Sequence, residues 1–238
     1  MSEIQKVSPL KDAFTSMFDA AYSLNRQNIL DLCCFDNHAK VIDLGCDDGA
    51  WTSRLGQQIG STDLFGVEIV PERANMASKR GVSVVTHDLA LDLPFEADSF
   101  DVVHANQVIE HVPYIDRFAA EIFRVLKPGG YAVISTENAS SWHNVFSLIM
   151  GWQMFSLTNL STMRLGLGNP LALHRGEKDH LGSWTHKTIF SYCGLIDFLE
   201  AHGFRSVKVK GAGYYPLPSW VGKLDPRHSH FITAICYK

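Results

Sequence analysis

The stretch Val41-Ile42-Asp43-Leu44-Gly45-Cys46-Asp47-Asp48-Gly49 constrains this chain more than any other. An aliphatic, β-branched run interrupted by a single acid suits a strand covered on both faces. Gly45 and Gly49 bracket a bend where the backbone must turn sharply and leave room for a ligand. Past the bend, Trp51, Leu55 and Ile59 recur at helical spacing, and Gly60 stands where that helix would stop. Leu64 to Ile69 reads as a second strand that delivers Glu68, about twenty residues beyond the turn. Strand, glycine turn, helix, strand and carboxylate, in that order, make the half of an open α/β sheet that grips the ribose of an adenosine-containing cofactor.

The acids choose among such cofactors. A pyrophosphate wants glycine amides at a helix N-terminus and no negative charge nearby. Here Asp43, Asp47 and Asp48 crowd the turn. Three carboxylates disfavour NAD or FAD and suit S-adenosyl-L-methionine (SAM), which has a sulfonium, an ammonium and a ribose but no phosphate.

Further motifs follow in order: Gly66-Val67-Glu68, His87-Asp88-Leu89, Leu93-Pro94-Phe95, Ser99-Phe100-Asp101-Val102-Val103, Val108-Ile109-Glu110-His111-Val112 and Arg124-Val125-Leu126-Lys127-Pro128-Gly129-Gly130. Over about residues 38–138 this series resembles the class I SAM-dependent methyltransferases, in particular their type 11 domains. The resemblance implies an α/β, Rossmann-like sheet of seven mostly parallel strands, helices on both faces and the last strand antiparallel. It implies cofactor contacts from Asp43, Gly45, Cys46, Asp47, Gly49, Glu68, Ile69, Asp88, Leu89 and Asn106. Asp47 departs from the family, which often has a third glycine there. Asp tolerates unusual backbone angles better than most residues, so the turn is expected to change shape and keep its binding.

The chain has 238 residues, 46% of them hydrophobic and 19% charged, enough for one domain with a substantial core. A formal charge of −4 with no basic run argues against nucleic acid as a partner. Five cysteines without CxxC spacing, and no signal-like N-terminus, point to reduced thiols in the cytoplasm. The longest apolar stretch, Val145 to Leu157, is too short to span a bilayer. It is expected to form a core or lid helix, with an interfacial role, and so peripheral membrane contact, as the alternative.

Residues 1–37 read as a helical cap, 38–138 as the cofactor core, 139–187 as a helical lid after the fifth strand, and 188–238 as a closing helix and two strands. The third strand is expected at Val82 to Thr86, the fourth at Asp101 to Ala105 and the fifth at Tyr131 to Thr136. A helix is expected from about Lys187 to His202, then strands at Val207 to Gly211 and Phe231 to Tyr237. The lid leaves the carboxyl end of a strand, where open α/β sheets bind ligands, and is rich in Trp, Phe, Leu and Met. It is read as the acceptor-binding lid.

Methyl transfer asks for in-line positioning and, with a hydroxyl acceptor, a base. His111, past the fourth strand, and His143, past the fifth, are the candidate catalytic residues. His174, His180 and His186 follow at six-residue steps, which do not match helical metal ligands. His228 and His230 are expected in a turn, with the start of a strand facing the pocket as the alternative. Ubiquinone-type O-methyltransferases carry two Glu and a His that can hold a divalent ion in the segment resembling Gln107-Val108-Ile109-Glu110-His111. Gln107 replaces the first acid, so no metal is assigned. Arg164 and Arg175 could grip an acceptor carboxylate or phosphate, and Trp142, Trp184 and Tyr214 could wall a ring, sugar or acyl chain. The expected function is transfer of a methyl group from SAM to a small or lipid-linked acceptor, with O-methylation favoured. The alternatives are a sugar methyltransferase of cell-surface polysaccharide or glycolipid synthesis, and a non-catalytic SAM-binding protein. Oligomeric state is not legible.

Overall fold

The computed structural model describes residues 9–178 and 185–238. His180 and Trp184 lie outside the described residues. Strands β1 (Lys40–Leu44), β2 (Asp63–Glu68), β3 (Ser83–Thr86), β4 (Phe100–Asn106), β5 (Leu126–Glu137), β6 (Arg205–Ala212) and β7 (Phe231–Tyr237) form one sheet. Its order is β3-β2-β1-β4-β5-β7-β6, with β7 antiparallel to both neighbours and the other pairs parallel. The helices are α1 (Pro9–Leu32), α2 (Ala50–Ile59), α3 (Pro71–Lys79), α4 (Ile115–Val125), α5 (Trp142–Ile149) and α6 (Tyr192–Ala201).

Alternation along β1 builds both faces of the core. Ile42 and Leu44 join Phe118, Ile122, Leu195 and Leu199 beneath α4 and α6. Val41 faces the other way, with Ile29 and Leu30 of α1 and Leu55 and Ile59 of α2. Phe118, Ile122 and Val125 are buried at helical spacing, which holds α4 flat on the sheet. Gly60 ends α2 in the left-handed region, its N–H bonded to the Gly56 carbonyl, as its position suggests.

Two boundaries differ from expectation by five residues, the others by two or fewer. α6 begins at Tyr192, not Lys187. The N–H groups of Lys187 and Thr188 bind the Glu110 carbonyl, and Phe190 bridges Asn138, so tertiary contacts hold this stretch extended. β5 begins at Leu126, directly after α4, ahead of the Pro128-Gly129-Gly130 turn. Among the described residues, the stretch expected to form a helical lid carries one helix, α5, and a short 3-10 turn at Phe155–Leu157, and then runs through turns to residue 178. β1 and β4 lie side by side while their connections diverge to opposite ends of the sheet. That switch point opens a crevice at the carboxyl ends of the strands.

Candidate cofactor and acceptor site

The turn after β1 sits at that crevice. Gly45 and Gly49 both have φ of 77°, and a Cβ on either would meet Val108 at 2.9 Å or Ala77 at 2.8 Å. Asp47 takes φ of 49°, so the missing glycine is absorbed in the left-handed region as expected. The N–H groups of Gly45 and Cys46 both donate to the Val67 carbonyl, at 2.8 and 3.0 Å, lashing the turn to the end of β2. Cys46 packs its side chain inward against Ala77 and Val82, so only its backbone can face a ligand. Burial pushes its thiol up to about 12.

The acids of the turn are not aimed at a ligand. Asp43 is 2% exposed, and each of its oxygens accepts one buried side-chain donor that packs against it. Thr52 Oγ1–H donates to one at 2.5 Å, and His104 Nδ1–H donates to the other at 2.6 Å. Trp51 Nε1–H donates to His104 Nε2 at 3.3 Å, which leaves the proton on Nδ1. Asp47 is clamped by two guanidinium nitrogens of Arg73, and Asp48 pairs with Arg80 at 3.2 Å. The charge argument against a phosphate is thereby corrected: α3 supplies two arginines that neutralise the turn. The cofactor has to be identified by other features.

Glu68 is such a feature. Its oxygens accept the N–H of Asp47 at 3.0 Å and of Val70 at 2.9 Å, which fixes the carboxylate at the end of β2. Each oxygen keeps a second lone pair, and two ribose hydroxyls would fit them. Asp88, in a tight turn with the Ala90 N–H at 2.9 Å, follows β3, and Asn106 ends β4. Ile69 is half-exposed beside Glu68, whereas Leu89 packs on the core. The sheet order therefore aligns Asp88, Glu68, the turn and Asn106 along one edge, and these residues fit the adenosine of such a cofactor. On the α1 side, Arg26 stacks 4.1 Å over Trp51 and lines a groove of about 580 Å³ with Tyr22 and Arg54.

Past β4 and β5 the chain gathers histidines and glutamates. His111 Nδ1–H donates to the Thr185 carbonyl at 3.3 Å and His186 Nδ1–H to the Ser156 carbonyl at 2.6 Å, and among the described residues both Nε2 lone pairs stay available. Their rings lie 4.7 Å apart. One donor atom each from Glu110, His111 and His186 falls within 4.8 Å of the others, so these three could hold a metal ion. Glu110 Oε2 accepts from Thr136 at 3.0 Å, while Oε1 is buried without a partner. Burial raises the Glu110 carboxyl to about 8 and, with His186 beside it, lowers His111 to about 4.

His143, in the first turn of α5, has a buried Nε2 without a partner, and its ring sits 4.6 Å from His230 and 5.1 Å from Tyr215. Burial holds its pKa well below the ordinary value. Tyr215 O–H bonds His230 Nδ1 at 2.8 Å, and His230 Nε2 faces Glu137 at 3.8 Å. Burial opposes charge on Glu137, but His230 and His186 hold it below the usual carboxylate range. His230 is therefore a buried member of this cluster, not a surface turn residue, because it immediately precedes β7, whose first residue pairs with Glu137.

Trp142 and Tyr214 do meet: Trp142 Nε1–H donates to the Tyr214 hydroxyl at 2.7 Å, and its ring stacks on His228 at 4.5 Å. Tyr214 donates in turn to Asp225 at 2.6 Å. Arg164 and Arg175 are exposed on the lid, and no hydrogen bond ties either to the histidine cluster. The sequence reading missed His104 and Glu137 as site members, and it named His186 only among the evenly spaced lid histidines. His104 left a trace, a second polar residue interrupting a buried strand, in register with Asp43.

Comparison with known proteins bears on the same elements. Residues 17–209 match the family described as Methyltransferase domain. The ubiquinone biosynthesis O-methyltransferase of Bradyrhizobium sp. (strain ORS 278) is 30% identical over 154 residues, a match covering 63% of this chain and 59% of that protein. The chain thus spans less than two thirds of that relative. The demethylmenaquinone methyltransferase of Staphylococcus aureus (strain JH9) is 28% identical over 179 residues, covering 72% and 70%. A SAM-dependent methyltransferase from Thermotoga maritima has the same fold, with a TM-score of 0.62 at 19% identity over 95% of both chains. With the family match running from α1 to β6 through the glycine turn and Glu68, the chain belongs to the class I SAM-dependent methyltransferases and is an enzyme that uses that cofactor.

Proposed function

We propose that the chain methylates a hydroxyl oxygen on a small ring-bearing acceptor of the quinol class, in the cytoplasm. The observation that carries this reading is the neutral His111 imidazole, its Nδ1–H tied to Thr185 and its Nε2 lone pair available just past β4. The names of the two relatives, one an O-methyltransferase of ubiquinone biosynthesis and one a demethylmenaquinone methyltransferase, support the acceptor class.

The cofactor supplies a methyl group on a positively charged sulfur, so the protein's work is alignment and proton removal. Glu68 and Asp88 would hold the adenosine end, and Ile69 would lend it an apolar contact. The backbone of Gly45, Cys46, Asp47 and Gly49 shapes the bed, and Arg26 offers a cation for the amino-acid carboxylate. Asp43 positions without touching, by locking α2 and His104 to β1. A hydroxyl proton becomes strongly acidic as the new C–O bond forms, so a weak neutral base suffices, and His111 Nε2 takes it. His143 and Tyr215 wall the acceptor side, and the lid from Ala139 onward covers it.

A methyl-transfer screen against catechols and quinols, amines and sugars tests the reading. Methylation of a ring hydroxyl is expected, reduced at least about a hundredfold by His111→Ala. Preferential methylation of nitrogen, or full activity in both His111→Ala and His143→Ala, would refute it.

A further inference from the structure

Helix α5 is inside out. Its buried residues are Asn144 and Ser147, whereas Trp142, Phe146, Leu148 and Ile149 face solvent, Ile149 at 77% exposure. The polar residues are consumed in holding the lid together. Asn144 Nδ2–H₂ donates to the Asn138 carbonyl and to Ser156 Oγ, and Ser147 Oγ accepts from Asn169 at 3.2 Å. Trp142, Phe146 and Ile149 follow at i, i+4 and i+7, a continuous apolar stripe turned away from the protein. The loop that Asn169 ties to α5 adds Leu160 and Met163, the latter 72% exposed. Across the Trp142–Tyr214 contact, the segment 214–228 adds Leu217, Trp220 and Leu224. An exposed apolar stripe of this extent, continued by neighbouring loops, marks a contact surface.

Charge identifies what that is. The chain as a whole has a formal charge of −4, yet residues 138–178 carry Arg164, Arg175 and Lys178 against Glu177 alone. Residues 214–228 carry Lys223 and Arg227 against Asp225. Both acids are engaged, Glu177 with His174 at 3.0 Å and Asp225 with Tyr214 and His228. The apolar stripe is therefore flanked by excess positive charge on an otherwise acidic molecule. A second copy docking by two-fold symmetry would bring like charges together. An apolar layer beneath an anionic surface matches both properties.

We propose that the α5 face, with the loops that flank it, docks on the surface of an anionic lipid bilayer. α5 also carries His143 of the histidine cluster, yet the face is defined by exposure and charge alone, so the proposal does not depend on the acceptor assignment.

Sedimentation of the full chain with unilamellar vesicles tests it. Vesicles of phosphatidylcholine with phosphatidylglycerol should retain the protein at low salt and release it as salt rises, and pure phosphatidylcholine should retain far less. Ile149→Asp and Met163→Asp should each weaken retention about tenfold, while SAM still shifts their melting temperature as in the wild type. No retention by anionic vesicles at low salt would overturn the proposal, as would equal retention of both variants. A concentration-dependent dimer abolished by Ile149→Asp, without vesicle binding, would assign the face to a second copy and equally overturn it.

Discussion

At the residue scale, the two acids that the sequence marks most plainly have different work. Glu68 ends a strand with lone pairs to spare, whereas Asp43 is sealed between Thr52 and His104. Glu68→Ala should cost only about 1–2 kcal/mol of stability but about 10- to 100-fold in SAM affinity by calorimetry, the value of hydrogen bonds to a charged acceptor. Asp43→Ala should cost about 2–4 kcal/mol in denaturant melts by stranding two buried donors, with Asp43→Asn partly restoring it. The histidine cluster has a pH signature as well. His111 titrates at about 4 in the folded chain, below its ordinary 6.5, so its contribution is complete above 6.5 and is lost as pH falls through about 4. Glu110 runs the other way: raised from 4.5 to about 8, it contributes fully below 4.5, and that contribution is lost as pH rises through about 8. In chelator, the dependence of melting temperature on pH should become shallower on the acid side in His111→Asn and on the alkaline side in Glu110→Gln. The acid limb of the rate should likewise lie near pH 4, not 6.5.

At the element scale, legibility tracked how local the causes were. β7 runs from Phe231 to Tyr237 as its apolar pattern suggests, and the turn after β1 is where its glycines put it. α6 starts late because the Glu110 carbonyl, in a distant segment, captures two N–H groups ahead of it. The apolar run from Val145 reads as a core or lid helix because its outward stripe and its buried Asn144 are indistinguishable from an inward stripe until the neighbours are known. Asn144 is also the lid's fastening. Asn144→Ala would leave the Asn138 carbonyl and Ser156 hydroxyl short of a buried partner, about 1–3 kcal/mol. That loss should stay within the lid. Limited proteolysis is expected to cut residues 150–178 faster in the variant, with SAM affinity unchanged. A variant that lost cofactor binding in parallel would mean that lid and core unfold together.

At the scale of the whole molecule, the cofactor edge and the acceptor cluster differ in how far their parts are scattered. The cofactor edge comes from consecutive units between Asp43 and Asn106, each delivering one residue at a strand end, so sequence order alone reveals it. The acceptor cluster draws on His111, Glu137, His143, His186 and His230, brought together by the β5–β7 pairing and the return of the lid onto Glu110. Because the cofactor edge spans β1 to β4, a ligand there couples to the cooperative unfolding of the sheet and not to one loop. A ligand that binds only the folded state at about a hundred times its Kd adds about 2.7 kcal/mol. In a chain of 238 residues each kcal/mol moves the midpoint by about 2–4 °C, so saturating SAM should raise the melting temperature by about 5–10 °C. NAD at equal concentration should move it far less, since the Asp48 carboxylate already accepts the Ala50 N–H at 3.0 Å at the start of α2, where a pyrophosphate would have to dock. Arg73→Ala with Arg80→Ala separates the two sources of that preference. If ribose recognition by Glu68 dominates, the double variant keeps most of the SAM shift; if the arginines set the potential of the turn, the shift changes with salt and NAD stays excluded more strongly than before.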